Sequence, residues 1–133
     1  ECIALVHPSL HDSGGWVCLE AMAAGRPVIC LDLGGPAVQV TAETGFKIYA
    51  GTPEQAVEDL AQAMRRLAQE EELRYSMGAA AKNRVKQLYS WEQIGHSLSE
   101  LYQKIVTGQN QQLKSILANS NKPVTVKQTS KTE

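Results

Sequence analysis

The sequence predicts an α/β fold, in which parallel strands are flanked by helices and further helices follow. Residues 3–6 and 28–31 are short apolar runs typical of buried strands. Residues 16–24, between these runs, are mostly good helix formers, and each apolar run is followed by a glycine-bearing loop. This order predicts a right-handed βαβ unit whose two glycine loops lie at the same edge of a parallel sheet.

Two carboxylates flank the first glycine loop. Asp12 precedes the predicted helix, and Glu20 follows eight positions later, more than a turn inside it. In α/β folds, ligands bind where strands end and helices begin, and a helix N-terminus favours phosphate. Glycine lets the backbone approach such a ligand closely, so a second loop at Gly34 and Gly35 could contact the same anion. A simple chain turn explains that second pair equally well.

The rest of the chain is predicted to be mainly helical. Residues 37–44 fit either a short helix or a loop, and residues 45–49 fit a third strand. Thr52 and Pro53 open a helix, with Gln55 placed to reach back in a capping box. Further helices are expected over residues 71–89 and from Ser90. The predicted inward side chains are Val57, Leu60, Met64 and Leu67, then Leu73, Met77, Ala80, Ala81, Val85 and Leu88, and in the last helix Trp91, Ile94, Leu98, Leu101, Tyr102 and Ile105.

The predicted strands are too few for a self-sufficient parallel sheet. A doubly wound domain normally has five or six strands, and this chain of 133 residues offers two or three. We therefore expect residues 1–107 to form the C-terminal part of a larger domain, with the remainder upstream of Glu1. Residues 108–133 are polar and without period, which predicts a disordered tail.

Bulk composition excludes several classes of partner. The formal net charge is −1, so nothing global indicates binding to nucleic acid or to an anionic membrane. No apolar stretch has the length needed to cross a bilayer. The three cysteines, Cys2, Cys18 and Cys30, lie in apolar segments and are predicted to be buried thiols of a reducing cytoplasm.

A combination of short motifs resembles a known family. The residues concerned are Pro8-Ser9-Leu10, the Asp12-to-Glu20 pair, the run Glu20-Ala21-Met22-Ala23-Ala24-Gly25-Arg26-Pro27-Val28-Ile29, and Gly34-Gly35. In this order they resemble the C-terminal part of family 4 glycosyltransferases, which are retaining enzymes of the GT-B type. The resemblance extends from Ala4 to about Tyr102. It implies a Rossmann-like domain that binds a nucleoside-diphosphate sugar.

The resemblance also implies roles for individual residues. The first acid of the family's pair faces the donor sugar and is often called catalytic; Asp12 stands there in place of the usual glutamate. The second acid binds the ribose hydroxyls, and Glu20 matches it. The intervening backbone contacts the sugar and diphosphate, which here corresponds to Ser13, Gly14, Gly15 and Trp16. The family often has an acid after the Gly-Gly pair; Gln39 lies in that region and receives no role.

The implied reaction is sugar transfer with retention, in which the departing phosphate takes the acceptor's proton on the same face. No metal or other cofactor is expected. The resemblance places the acceptor-binding domain and the diphosphate-binding basic residues upstream of Glu1, so any peripheral membrane contact would come through that part. The chain alone is expected to be inactive.

Other interpretations remain open from the residues. Asp12 could simply favour a helix N-terminus, and Glu20 could lie on a solvated face, although its apolar neighbours argue for a mostly buried helix. His7, His11 and Asp12 lack metal-ligand spacing, so a metal site is not expected. A non-catalytic βαβ module that binds a nucleotide or a protein is the main functional alternative. Another GT-B enzyme, such as a sugar-nucleotide epimerase or a phosphorylase, fits the spacing of the acids less well.

Overall fold

A computed structural model describes residues 2–107 of the chain. The elements follow the predicted alternation: β1 (Leu5–His7), α1 (Trp16–Ala23), β2 (Val28–Leu31), α2 (Gly34–Gln39), β3 (Gly45–Ile48), α3 (Pro53–Gln69), α4 (Glu71–Leu88) and α5 (Trp91–Val106). The described residues divide into two compact units, one through Ile94 and one from Gly95 onward. The predicted tail, residues 108–133, lies outside the described residues.

The three strands form one parallel sheet in the order β1-β2-β3. Leu5 pairs with Val28, and Val28 pairs with Gly45. Because the strands are parallel, the loops that follow β1 and β2 leave the sheet side by side at its carboxyl edge. The α/β fold class is confirmed. Of residues 37–44, which fit either a helix or a loop, residues 37–39 form the end of the short helix α2, which begins at Gly34, and residues 40–44 are not helical.

The hydrophobic core lies on both faces of the sheet, because the side chains of β2 alternate between them. Val28 and Cys30 contact one cluster and Ile29 and Leu31 the other. The first cluster is completed by buried residues of α1, α4 and the segment after α2, namely Cys18, Met22, Ala81 and Val40. The second is completed by residues of β3, α3 and α4, namely Ile48, Ala63, Leu67 and Met77. Helices therefore cover both faces.

Two sequence predictions about the first strand are wrong. Pairing with β2 begins only at Leu5, so the strand starts later than residue 3 and Ile3 is exposed. Cys2 is also exposed, whereas Cys18 and Cys30 are buried free thiols as expected. Burial raises the pKa of Cys18 to about 11 and that of Cys30 to about 12.

Helix α1 packs against the sheet through one side only. Cys18 and Met22, four residues apart, are fully buried. Trp16, Val17 and Glu20 lie on the exposed side. The argument that Glu20 sits in a mostly buried helix is therefore wrong, since its apolar neighbours in the sequence face other directions.

Helix α3 begins as predicted, but with a different use of its capping residues. The Thr52 hydroxyl accepts a hydrogen bond from the backbone N–H of Gln55 at 3.3 Å. The Gln55 amide donates forward to Asp59 at 2.8 Å instead of reaching back, so only half of the capping box forms. Val57 and Met64 are exposed, against expectation, because the helix turns Ala63 and Leu67 toward the sheet.

The later helices also begin and end close to the predicted positions. Helix α5 starts after Ser90, whose hydroxyl accepts from the backbone N–H of Gln93 at 3.3 Å. Leu88, Trp91 and Tyr102 are exposed, so their assignment to the core is wrong. The other predicted inward residues of α5, Ile94, Leu98, Leu101 and Ile105, are exposed as well. Within residues 2–107, no helix combines the length and apolar character required to span a membrane.

Candidate functional site

The carboxylate of Asp12 organises the first glycine loop from within. Its Oδ1 accepts hydrogen bonds from the backbone N–H groups of Gly14, at 3.0 Å, and Gly15, at 2.7 Å. Its Oδ2 accepts from Nε2 of His7 at 2.8 Å. The Gly15 bond, and after it the His7 bond, lower the pKa of Asp12 below its ordinary value. The ionised carboxylate of Asp12 therefore closes the loop through Gly14 and Gly15 and connects it to the end of β1 through His7.

His7 is a site residue that the sequence analysis missed. It is the last residue of β1, and its ring hydrogen-bonds Asp12, whereas the sequence pattern suggests for it only an improbable metal site with His11. The available signal was a histidine at a strand end, five positions before an acid across a tight loop. Among residues 2–107, no group of three or more histidine, cysteine or acidic side chains is arranged to hold a metal ion; the expectation of a metal-free site remains a prediction.

The loop delivers free backbone N–H groups to its open end. Gly15 is the N-cap of α1 and has a φ of 57°, a left-handed conformation that favours glycine. The first helical bond runs from the N–H of Cys18 to the carbonyl of Gly15 at 2.9 Å. The N–H groups of Trp16 and Val17 precede that bond, and no side chain caps the helix. This end of α1 can therefore receive an anion.

The second glycine loop packs directly on the first. The Gly35 N–H donates to the carbonyl of Asp12 at 2.9 Å. A Cβ atom at Gly34 would clash with that same carbonyl oxygen, and one at Gly35 would clash with the carbonyl oxygen of Ser13. Close contact between the two loops thus accounts for the Gly-Gly pair, and it makes the two loops one structural unit.

Gln39, at the end of α2, contacts the first glycine loop through its buried side chain. Its side chain is only 6% exposed, and its Nε2 donates to the carbonyl of Gly14 at 2.6 Å. Its own backbone carbonyl accepts from Nε of Arg84, in α4, at 2.8 Å. Sequence reasoning gave Gln39 no role, because the family's acid was absent and nothing in the sequence places a residue of α2 under a loop 25 positions earlier.

A cavity of about 460 Å³ opens where the two loops meet, and it is lined by Leu10, His11, Asp12, Ser13, Leu33 and Gly34. The structure therefore brings Asp12, Ser13 and Gly34 to one cavity. Glu20 is exposed on α1 and is not part of that lining. The roles predicted for these residues toward a ligand remain predictions.

Trp16 stands at the rim of the first loop. Its side chain is 63% exposed, and its ring edge lies beside Gly14, where a Cβ atom would come within 3.1 Å of Cδ1. Gly14 therefore lets the indole lie against the loop while most of its surface stays exposed. Such a surface can stack on a sugar or a base.

Comparison with known proteins places this geometry in a family. The family model described as "Glycosyl transferases group 1" matches residues 1–84. The chain is 38% identical over 107 residues to a D-inositol 3-phosphate glycosyltransferase of Rhodococcus erythropolis, covering 77% of this chain and 22% of that protein. It is 32% identical over 96 residues to the protein of the same name from Corynebacterium aurimucosum, covering 71% of this chain and 22% of the relative.

A solved structure agrees with the sequence relatives. Sucrose-phosphate synthase from Thermosynechococcus elongatus superposes with a TM-score of 0.65 at 31% identity, over 77% of this chain and 25% of that chain. The chain thus spans about a quarter of the length of the proteins it matches, and the predicted GT-B type of fold is confirmed. Family match, relatives and fold agree, and the chain belongs to the group 1 glycosyltransferases, the GT-B enzymes of family 4 type.

Proposed function

We propose that this chain is the donor-binding part of a retaining glycosyltransferase, which moves a sugar from a nucleoside-diphosphate sugar to an acceptor held by the rest of the protein. The observation that carries the proposal is the pair of stacked glycine loops at the carboxyl edge of the sheet. They meet beside a cavity of about 460 Å³ and beside the uncapped start of α1. This position is where α/β folds bind phosphate-bearing ligands.

The diphosphate is assigned to the start of α1. The N–H groups of Trp16 and Val17 and the positive end of the helix dipole stabilise negative charge as the phosphate departs. Gly14 and Gly15 donate their N–H groups to Asp12 instead, so their contribution is close backbone approach. Ser13 and Gly34 line the cavity and lie within reach of the sugar.

Asp12 is assigned to the donor sugar, with a restriction set by its contacts. A carboxylate offers about four acceptor positions, and Gly14, Gly15 and His7 use three of them. One position remains on Oδ2, which can accept a sugar hydroxyl in the cavity. Asp12 thus acts as a positioning and electrostatic group near the anomeric carbon, while the departing phosphate takes the acceptor's proton.

Glu20 is assigned to the ribose. No side chain of the described part of the protein hydrogen-bonds its carboxylate, and the rigid helix α1 presents it to solvent. A carboxylate in this position can accept from two adjacent hydroxyl groups at once. The sugar and the nucleotide would then be held from two sides of the same loop.

Calorimetric titration of the full-length protein with UDP-glucose, ADP-glucose and GDP-mannose tests the proposal. Glu20→Ala should weaken binding of the recognised donor by about tenfold or more, in line with two lost charge-assisted hydrogen bonds, and should leave the unfolding midpoint unchanged. Glu72→Ala, at an exposed acid in the first turn of α4, is the matched control. Equal affinity of wild type and Glu20→Ala for the donor would overturn the assignment.

A separate assay addresses transfer. The full-length protein is expected to move the sugar of the recognised donor to an acceptor, and the isolated chain is expected to transfer none. Binding of a nucleotide by the full-length protein without transfer to any acceptor or to water would favour the non-catalytic binding module instead.

A further inference from the structure

We propose that Gln39 is a positioning residue for the first glycine loop, and that Arg84 holds Gln39 in place from α4. The inference rests on the proposed function, since it concerns the loop assigned to the donor diphosphate. Gln39 acts through the backbone and has no contact with the donor in this assignment.

One planar peptide group carries the argument. The carbonyl of Gly14 and the N–H of Gly15 belong to the same peptide unit and point in opposite directions. Gln39 Nε2 donates to that carbonyl at 2.6 Å, and the N–H donates to Asp12 Oδ1 at 2.7 Å. The peptide group is therefore held on both sides, by the Gln39 amide at its carbonyl and by the Asp12 carboxylate at its N–H. It cannot rotate without breaking both hydrogen bonds.

The same peptide leads into the left-handed Gly15, the N-cap of α1. A Cβ atom at Gly15 would lie 2.6 Å from Oε1 of Gln39, so the glutamine amide fills the space that any other residue at position 15 would need. Gln39 and Gly15 are complementary in shape as well as in hydrogen bonding. Fixing this peptide fixes the direction in which Trp16 and Val17 present their N–H groups.

Arg84 anchors the support to the body of the domain. Its Nε donates to the backbone carbonyl of Gln39 at 2.8 Å, and its Nη2 donates to that of Val38 at 3.2 Å. These carbonyls lie at the end of α2, where the last carbonyl groups of a helix have no N–H partner within the helix. Helix α4 also packs on α1 through the shared core cluster, so the helix that carries Arg84 contacts both α1 and the end of α2.

The chemistry of the site requires a neutral donor at position 39. Gln39 Oε1 is buried and has no hydrogen-bond partner in the described structure. A glutamate at this position could donate to the Gly14 carbonyl only when protonated, and its ionised form would face that carbonyl with two acceptors and no donor. In Gln39→Glu, the hydrogen bond to the Gly14 carbonyl should therefore form at low pH, where the carboxyl is protonated, and be lost at high pH.

The test is calorimetric titration of the full-length protein with UDP, ADP and GDP. Relative to wild type at the same pH, Gln39→Met should bind the preferred nucleotide roughly tenfold more weakly at both about pH 5 and about pH 8, because it keeps the bulk but lacks the donor. Burial raises a carboxyl pKa, so the glutamate of Gln39→Glu should be protonated at the lower pH and ionised at the higher one. The nucleotide affinity of Gln39→Glu should therefore equal that of wild type at the lower pH and that of Gln39→Met at the higher pH. Gln62→Met, at an exposed glutamine of α3, should match wild type throughout.

Arg84→Met should also weaken nucleotide binding. The double variant with Gln39→Met should bind only slightly more weakly than Gln39→Met alone, because both changes remove the same support of the loop. Should Gln39→Met not fold, Gln39→Glu still compares a single protein at two pH values. The proposal is overturned if the affinity ratio of Gln39→Glu to wild type is independent of pH, or if Gln39→Met binds as tightly as wild type.

A ligand-free readout separates this proposal from the proposed function. Amide hydrogen exchange over residues 12–18, measured by mass spectrometry, should be faster in Gln39→Met than in wild type and unchanged in Gln62→Met. If wild type binds none of the nucleotides, the proposed function fails, and hydrogen exchange still decides whether Gln39 fixes the loop. Equal exchange rates in wild type and Gln39→Met would overturn the positioning role.

Discussion

Nε2 of His7 lies 2.8 Å from Oδ2 of Asp12, so the last residue of β1 is joined to the acid that closes the glycine loop. The same carboxylate receives the N–H groups of Gly14 and Gly15 on its other oxygen. The acid predicted to face the donor sugar is thus also the principal brace of the loop. Its ionisation and its length both have structural consequences that can be measured.

The stability of the protein should depend on the ionisation of Asp12. The folded state lowers the pKa of Asp12 below 3.8, through the Gly15 hydrogen bond first and the His7 bond second. The stabilisation is therefore fully present above that ordinary value and is lost as the pH falls through the lowered pKa. We expect Asp12→Asn to have a lower free energy of unfolding near neutral pH and a shallower loss in acid, measured by urea unfolding across the acid range. An identical acid dependence in the two proteins would contradict this account.

The length of Asp12 should matter as much as its charge. An aspartate can accept from N–H groups two and three residues ahead, a geometry that the longer glutamate side chain reproduces poorly. We therefore expect Asp12→Glu, although it restores the family's usual residue, to lower the unfolding midpoint and weaken donor binding together. His7→Ala in the same background shows whether the glutamate regains the contact. A donor affinity above wild type in Asp12→Glu would show that reach toward the sugar outweighs the loop contacts.

Replacing Gly34 should separate the two stacked loops. The residue has a φ of 58°, and a Cβ atom there would clash with the carbonyl of Asp12. We expect Gly34→Ala to reduce the free energy of unfolding by roughly 2–4 kcal/mol, from backbone strain and lost loop contact. Gly95→Ala is the matched control, because a Cβ atom at that helical position meets nothing within 4 Å. It should be neutral or stabilising by up to about 1 kcal/mol, the helix-propensity difference.

Trp16 should report on binding of the donor. It is 63% exposed at the rim of the first loop, and Trp91 is exposed on α5. If the donor contacts the loop, its binding should change the tryptophan emission of the full-length protein, and Trp16→Phe should remove that change. Trp91→Phe should leave it in place. Persistence of the full change in Trp16→Phe would remove Trp16 from the binding site.

The buried thiols should resist alkylation in the native protein. Cys18 and Cys30 are fully buried, and burial raises the pKa of Cys18 to about 11 and that of Cys30 to about 12, so almost no thiolate forms at neutral pH. We expect peptide mapping after iodoacetamide treatment to find both unmodified in native protein and both modified in guanidinium chloride. Labelling of either at the rate seen in denaturant would show that the first core cluster opens readily.

Local signals in the sequence predicted most of the elements. Thr52 and Ser90 mark helix starts by short-range hydrogen bonding, and Pro53 does so through its fixed φ. The alternation of glycine loops with apolar runs predicts the parallel sheet. Side-chain burial was less predictable: Val57 and Met64 share a helical face with Leu60 and Leu67 in the sequence, yet they are exposed, whereas Ala63 and Leu67 are buried. Which side of α3 is covered depends on residues of β2, β3 and α4 that are distant in the sequence.

The site shows the same division. Asp12 and its glycines are joined over two or three positions, and their proximity follows from the sequence. The support from Gln39 spans 25 positions and that from Arg84 a further 45, so both depend on how the sheet and helices pack together. Contacts of this range are set by topology, and no local pattern indicates them.

The contact of Gly34 and Gly35 with the first loop has a consequence for exchanging that loop between members of this family. If residues 12–16 alone were replaced by those of a relative, the backbone carbonyls of the new segment would be positioned to contact the second loop of that relative, not Gly34 and Gly35 of this chain. Exchange of residues 12–16 together with residues 33–39 takes both contacting segments from the same protein, so it should disturb folding less than exchange of residues 12–16 alone.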